Sequence, residues 1–231
     1  MRIMALIPAR KGSKRLKNKN RKPLGGKPLI QWSIEFAQSC EFLEHILISS
    51  DDPEIIQLGL EMGCLAPWVR PQELSGDYAS SVDVALHALD WFENMVSPID
   101  GLLLLQPTSP FRKKESLLKL IDAFVNDPSI PSVSVSELTD NPKGLLTCED
   151  GIGRPYFVTG KDGRASPSAF IVNGSMYLCS PNYLRKNKDF LGECINTVLL
   201  HSPAEAVDID DQKDFNKANF LLETRNAILG K

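Results

Sequence analysis

A doubly wound α/β fold built on a mostly parallel sheet is the architecture this sequence predicts, and two observations lead to it. Short apolar runs of strand length alternate with longer stretches of helical periodicity along most of the chain. The first of those runs, RIMALIP, passes directly into a loop crowded with cations around one glycine, at the carboxyl edge where such sheets hold ligands.

RIMALIP reads as the first strand, and a helix over 28–39 follows, with Leu29, Trp32, Ile34 and Phe36 on its buried side. HILISS is the second strand. DDPEIIQLGLEMGC is a helix with Asp51 or Asp52 as its cap and Pro53 in its first turn. SSVDVALHALDWF is a third helix, GLLLLQPTSP carries a buried strand into a turn, KESLLKLIDAFVND is amphipathic, and PSVSVSE is a short strand. Over 138–168 the pattern breaks into glycine, proline and charge, which marks an excursion from the core. AFIVNGSMYLCS and INTVLL then read as strands, and DDQKDFNKANFLLETRNAIL as a closing helix. The expectation is one domain over 1–231 with that excursion inside it.

Composition narrows the function. The 231 residues are 42% hydrophobic, enough to bury a sizeable core, and the net charge is −3. With a pI near 5.7, a general nucleic-acid binder is excluded, because such a protein carries a basic face over the whole domain. No apolar run approaches the roughly 20 residues of a membrane span, and MRIMALIPARK lacks the apolar length of a signal peptide, so a cytoplasmic protein without membrane contact is expected. Five scattered cysteines fit reduced thiols, and three scattered histidines argue against a histidine metal centre.

The positive charge is concentrated instead. Ten of the 26 Lys and Arg residues fall between Arg2 and Lys27, before the first acid, Glu35. In IPARKGSKRLKNKN, Gly12 permits close backbone approach, Ser13 offers a hydroxyl, and Arg10, Lys14 and Lys19 supply cations for several phosphate oxygens, as a triphosphate requires. The loop matches neither GxxxxGK[ST] nor GxGxxG, and a merely solvated basic loop is the alternative. In LLLLQPTSPFR a strand ends at Gln106, which can read a base or sugar edge. Arg112 is either a ligand for phosphate or carboxylate or a surface ion pair. In VDIDD, a strand-like alternation puts Asp208 and Asp210 on one face, an arrangement that suits Mg²⁺ shared with substrate phosphates, while Asp211 and Asp214 suit the cap and first turn of the last helix.

The segments IPARKGSKRLKNKN, VRPQELSGDYASS, LLLLQPTSPFR, VNGSMYL and VDIDD, in this order and spacing, closely resemble the acylneuraminate cytidylyltransferases, or CMP-sialic acid synthetases, over nearly the whole chain. The resemblance implies a Rossmann-like nucleotidyltransferase fold. It also implies the Mg²⁺-dependent transfer of CMP from CTP, the co-substrate, to a nine-carbon 2-keto acid sugar, with release of pyrophosphate. By the same resemblance, Arg10, Ser13, Lys14, Lys19, Asn20, Arg70 and Ser81 meet the nucleotide, and Lys19, Arg10, Lys14 and Asp210 carry the catalysis. Gln106, Tyr177, Asn173, Arg164 and Lys143 serve the sugar, and Asp208 and Asp210 hold Mg²⁺. The 138–168 excursion matches the family's dimerisation segment, which implies a homodimer.

Ile171 and Val172 stand before Asn173-Gly174-Ser175, where family members often carry an arginine or another polar residue. The sugar is therefore left among N-acetylneuraminate, legionaminate, pseudaminate and 3-deoxy-manno-octulosonate. A nucleotide-sugar-binding protein without turnover and a nucleic-acid binder acting through the basic loop are the competing readings.

Overall fold

The computed structural model describes residues 1–138, 146–149, 152–155 and 169–229. Its elements run β1 (Ile3–Ala9), β2 (Pro23–Leu24), β3 (Lys27–Pro28), α1 (Leu29–Gln38), β4 (His45–Ser50), α2 (Pro53–Glu61), α3 (Ser81–Met95), β5 (Gly101–Leu105), α4 (Lys114–Asn126) and β6 (Ser132–Glu137). They continue with β7 (Leu146–Glu149), β8 (Ile152–Pro155), β9 (Phe170–Cys179), α5 (Pro181–Asn187), β10 (Asn196–Leu199) and α6 (Gln212–Leu229). Six strands form the main sheet in the order β10-β6-β9-β5-β1-β4. β1 pairs in parallel with both β4 and β5, and β10 with β6, whereas β9 runs antiparallel to β5 and β6. From β1 the chain turns first to β4 on one side and then to β5 on the other. The crevice at this reversal is where an open α/β sheet takes its ligand.

Alternating side chains of the strands feed two cores. Ile3, Ala5 and Ile7 of β1 join Leu103 and Leu105 of β5 under Ile30, Ile34, Ile55, Leu117, Leu120 and Phe124 from α1, α2 and α4. Met4 and Leu6 join Leu102 and Leu104 on the opposite face, beneath Ala85, Ala88, Leu89 and Phe92 of α3 and Leu184 of α5. A third cluster is smaller and matters more for the site. Leu16, from the middle of the basic loop, is buried with Leu24, Leu29, Val207, Ile209, Phe215, Ala218 and Leu222. One apolar anchor inside the cationic loop thus clamps it to the segment carrying Asp208 and Asp210.

Three local features differ from the expectations, and one choice they left open, the cap of α2, is decided. Gly25 and Gly26 take φ of +60° and +86° and turn the chain tightly between β2 and β3, a glycine-pair hairpin that delays the first helix to Leu29. Asp52 rather than Asp51 caps α2, accepting the Glu54 N–H at 3.1 Å. Helix α5, unforeseen, starts on a Ser180 cap with Pro181 in its first turn. Residues 207–210 form no strand, although the Ile209 N–H donates to the Thr108 carbonyl at 2.8 Å. The alternation survives without the ladder: Val207 and Ile209 are buried while Asp208 and Asp210 face the cleft. Most of the 138–168 excursion, including Lys143 and Arg164, lies outside the described residues.

Candidate active site

A cleft of about 540 Å³ opens at the carboxyl ends of β1 and β5. It gathers Arg10, Ser13, Lys14, Lys19 and Asn20 from the loop after β1, Arg70 and Ser81 from the segment leading into α3, Gln106 from the end of β5, and Asp208 and Asp210 from the stretch before α6. Residues nearly 200 positions apart therefore share one wall, as the motifs require.

The basic loop is shaped by its own backbone. The Asn20 amide, buried, donates to the Arg10 carbonyl at 3.0 Å and holds the loop in a closed curve. Asn18 takes a left-handed φ of 54° just before the short 3-10 turn Lys19–Arg21, which brings Lys19 inward. A Cβ at Gly12 would meet nothing within 4 Å, so no protein atom demands glycine there.

Charge is tightly cross-linked in the cleft. Lys19, with only 14% of its side chain exposed, donates to the Ile209 carbonyl at 2.9 Å and to Asp210 Oδ1 at 3.0 Å, while Arg15 reaches Asp210 Oδ2 at 2.7 Å. Burial by itself pushes the Asp210 carboxyl up, but the hydrogen bonds and charges of Lys19 and Arg15 outweigh it and hold its pKa below the usual range. Asp208 has no such partner among the described residues. It keeps contact with water on one side and is crowded on the others, so lost hydration, chiefly, raises its pKa. A Thr108 hydrogen bond opposes that rise, and the Asp210 charge adds to it. Two acids side by side, one of them uncompensated, fit a divalent cation completed by substrate phosphates and water. No group of three or more His, Cys, Asp or Glu suited to a metal exists among the described residues, so protein atoms alone do not build a closed metal cage there.

The floor beside Asp208 is a bulge. β6 advances from Val133 to Val135 while its partner β9 moves from Tyr177 to Val172, and the surplus residues include Gly174 at φ +77°. A Cβ at Gly174 would lie 3.0 Å from Gln106 Oε1 and 3.8 Å from Asp208 Oδ2, so glycine is needed both for the backbone turn and for room. Asn173 supports this bend rather than lining the cleft. Its Oδ1 accepts from the Ser134 hydroxyl at 2.7 Å and the Ser175 N–H at 3.1 Å, and its Nδ2 donates to Ser136 at 2.9 Å. Tyr177 also lies outside the lining. Its ring packs against Phe190 at 5.6 Å, and burial, then the Asp208 charge, push its phenol up.

Arg112 proves to be neither a surface ion pair nor a cleft ligand. It is buried, donating from Nε to the Ser175 carbonyl at 3.0 Å and from its two terminal nitrogens to Ser33 Oγ at 2.9 Å and the Gln106 carbonyl at 2.6 Å. Burial draws its pKa down to about 9, against the pull of Asp208, so it remains a cation at neutral pH and braces the bulge and Gln106 together.

Arg70 is nearly fully buried. Its Nε donates to Ser75 Oγ at 3.2 Å, and its guanidinium lies 3.6 Å from Asp51, whose carboxylate also accepts the Lys11 N–H at 2.8 Å. Desolvation lowers the Arg70 pKa, Asp51 opposes that, and Arg10 adds to it. Ser80 caps α3 through the Asp83 N–H at 3.0 Å, leaving Ser81 to face the cleft from the first turn. Sequence reasoning passed over Arg15, Asp77 and Thr108, and gave Asp51 only a capping role. Arg15, Asp77 and Thr108 all stood inside quoted motifs, and only the fold shows which group each one meets.

A profile described as cytidylyltransferase matches residues 4–149, across the loop after β1, the α3 entry and the end of β5. The chain belongs to the cytidylyltransferase family. It is 33% identical over 231 residues to a CMP-N,N'-diacetyllegionaminic acid synthase of Legionella pneumophila, covering 99% of this chain and all of that one. A pseudaminic acid cytidylyltransferase of Campylobacter jejuni is 39% identical over 129 residues, 56% of each chain. An N-acylneuraminate cytidylyltransferase of Escherichia coli is 28% identical over 228 residues, covering 97% of this chain but 53% of that protein. In fold, this cytidylyltransferase superposes on a CMP:2-keto-3-deoxy-manno-octonic acid synthetase complexed with CTP, with a TM-score of 0.71 at 18% identity over 97% of this chain and all of the other. That likeness bears out the α/β fold with a mostly parallel sheet expected from the alternating pattern. No described helix is long and apolar enough to cross a membrane.

Proposed function

We propose that this cytidylyltransferase joins CMP from CTP to the anomeric hydroxyl of a nine-carbon 2-keto acid sugar of the neuraminate or legionaminate kind, releasing pyrophosphate. The observation that carries the reading is the gathering of Arg10, Lys14 and Lys19 with Asp208 and Asp210 in one cleft, where Lys19 meets Asp210 at 3.0 Å. The full-length likeness to a legionaminic acid synthase supports the sugar class.

In the proposed reaction the anomeric oxygen forms a bond to the α-phosphorus as the bond to the β-phosphate oxygen breaks, and the hydroxyl proton leaves to a base. Arg10, Ser13 and Lys14 bind the phosphate chain, and Lys19 stabilises charge on the α-phosphoryl oxygens. Asn20, Arg70 and Ser81 orient the nucleoside, and Gln106 meets the sugar side. Asp208 and Asp210 are the residues that would hold Mg²⁺, which supplies charge neutralisation on the phosphates and leaving group. No covalent enzyme intermediate is needed, so positioning and fixed charge supply the rate enhancement.

Incubating the enzyme with CTP, Mg²⁺ and, in turn, N-acetylneuraminate, a diacetamido legionaminate, pseudaminate and 3-deoxy-manno-octulosonate, with the products weighed by mass spectrometry, tests the sugar. A CMP adduct of the neuraminate or legionaminate kind is expected; an adduct formed only with the octulosonate contradicts the assignment. The same reading includes a homodimer. Phe170 and Ile171, each about half exposed at 50% and 55%, stand where the chain returns from the excursion, an apolar edge for a partner to cover. Sedimentation should give twice the chain mass at micromolar protein, and a monomer there refutes it.

A further inference from the structure

One carboxylate at the mouth of the cleft has partners that the proposed reaction needs elsewhere. Asp77 Oδ1 accepts from Arg10 at 2.8 Å, and the same carboxylate pairs with Lys14 through Oδ2. These are two of the three cations assigned to the phosphate chain. Asp77 bridges them from the rim, between Gly76 and Ala79, which do line the cleft. The Lys14 and then the Arg10 hydrogen bonds hold its carboxyl below the ordinary range, which favours the anion.

The turn that carries it is lightly held. Gly76, Asp77 and Tyr78 are exposed, Tyr78 completely, and within this turn the Ala79 N–H meets the Gly76 carbonyl at 3.3 Å. Among the described residues no buried apolar contact ties Asp77 to its position, so moving it away loses little besides the ion pairs themselves. Asp210, a second carboxylate paired with cations of this loop, differs. Its cation Lys19 is largely buried and anchored by a second bond to the Ile209 carbonyl.

We propose that Asp77 is a placeholder anion, a positioning residue that holds Arg10 and Lys14 together in the empty cleft and is displaced by the incoming triphosphate. Holding two flexible side chains on one point keeps them in the orientation that several phosphate oxygens later use. The cost is competition. CTP must break two exposed ion pairs before it gains its own, and each such pair is weak and screened by salt. Asp77 therefore trades nucleotide affinity for order in the empty site.

The inference rests on the triphosphate occupying the basic loop, and calorimetry of CTP in the presence of Mg²⁺ separates the two claims. Asp77→Asn should bind CTP about threefold more tightly than wild type at low salt, a gain of the size of an exposed ion pair. The gain should shrink toward none in high salt, while Asp77→Glu restores wild-type affinity by restoring the charge. Arg10→Ala is the control for the site and should weaken binding. If Asp77→Asn binds CTP equally well or less well while Arg10→Ala binds weakly, the placeholder role is wrong and the phosphate site stands. If neither variant alters affinity, both are wrong. Circular dichroism of each variant excludes misfolding as the cause.

Discussion

Replacing Asp208 by Asn should improve the fold and damage the chemistry at once. Among the described residues no Lys or Arg pairs with this carboxylate, and Lys19 is committed to Asp210 at 3.0 Å and to the Ile209 carbonyl at 2.9 Å. Lost hydration and the neighbouring Asp210 raise the Asp208 pKa, so the ionised side chain opposes folding of the empty protein. Folding raises this pKa, so the penalty is absent when both states are protonated, below about pH 4, and grows as pH rises through the shifted value. Water still reaches Asp208, which limits the penalty at neutral pH to about 1 kcal/mol, or about 2–4 °C in unfolding temperature for a chain of this size. Asn keeps the shape without the charge, so Asp208→Asn should unfold higher than wild type at pH 7 and at the same temperature near pH 4. Turnover should fall at least roughly tenfold, about 1.4 kcal/mol of transition-state stabilisation, and extra Mg²⁺ should restore part of it. Thermal unfolding against pH, with pyrophosphate release against Mg²⁺ concentration, reads both effects. A variant that is less stable at pH 7 and turns over normally would refute the account of Asp208 as an uncompensated cation ligand.

Gly174→Ala should cost about 1–2 kcal/mol through its left-handed backbone and lower turnover further, because the new methyl presses on Gln106 at 3.0 Å; normal kinetics would show that the bulge does not shape the site. Ser175 Oγ is buried without a hydrogen-bond partner among the described residues, so Ser175→Ala should leave the unfolding temperature unchanged or raise it, and a loss above about 1 kcal/mol would reveal a partner for that hydroxyl. Arg112→Met should cost roughly 2 kcal/mol in denaturant unfolding, since it takes the guanidinium donors from the buried Ser175 carbonyl and the Ser33 hydroxyl while the Gln106 carbonyl keeps only the Ser109 N–H, and a neutral effect would show that the brace is dispensable.

Much of the sheet was legible because strand and helix periods differ and each apolar run had the length of one strand. The antiparallel direction of β9 was not legible, since its pattern is the same in either direction and only the crossover fixes it. Of the ten expected residues that line the cleft, the cations and acids stood out from charge clustering, because phosphates demand cations and metals demand acids whatever the tertiary detail, whereas Asn20, Arg70 and Ser81 came only from the family resemblance. Asp208 and Asp210 faced one way as the period of two requires, without a strand to enforce it, because Val207 and Ile209 are drawn into the third core. What failed was the assignment of polar residues with two plausible duties. Asn173 looked like a sugar contact and Arg112 like a ligand, yet each meets internal acceptors or donors that the sequence places 39 and 63 positions away. Such long-range satisfaction has no local signal. Asp77 and Arg15 were overlooked for the same reason, since an ion pair depends on which loops meet.

Pyrophosphate release measured with CTP, UTP, ATP and GTP in turn, each with Mg²⁺ and a neuraminate- or legionaminate-type acid, tests the central claim most directly. The account predicts release with CTP, little with the other three, and a loss of at least roughly tenfold in Arg10→Ala and in Asp210→Asn. Release at equal rates from all four nucleotides, or from none while CTP still binds, would contradict a cytidylyl-transfer site built from the basic loop and the two aspartates.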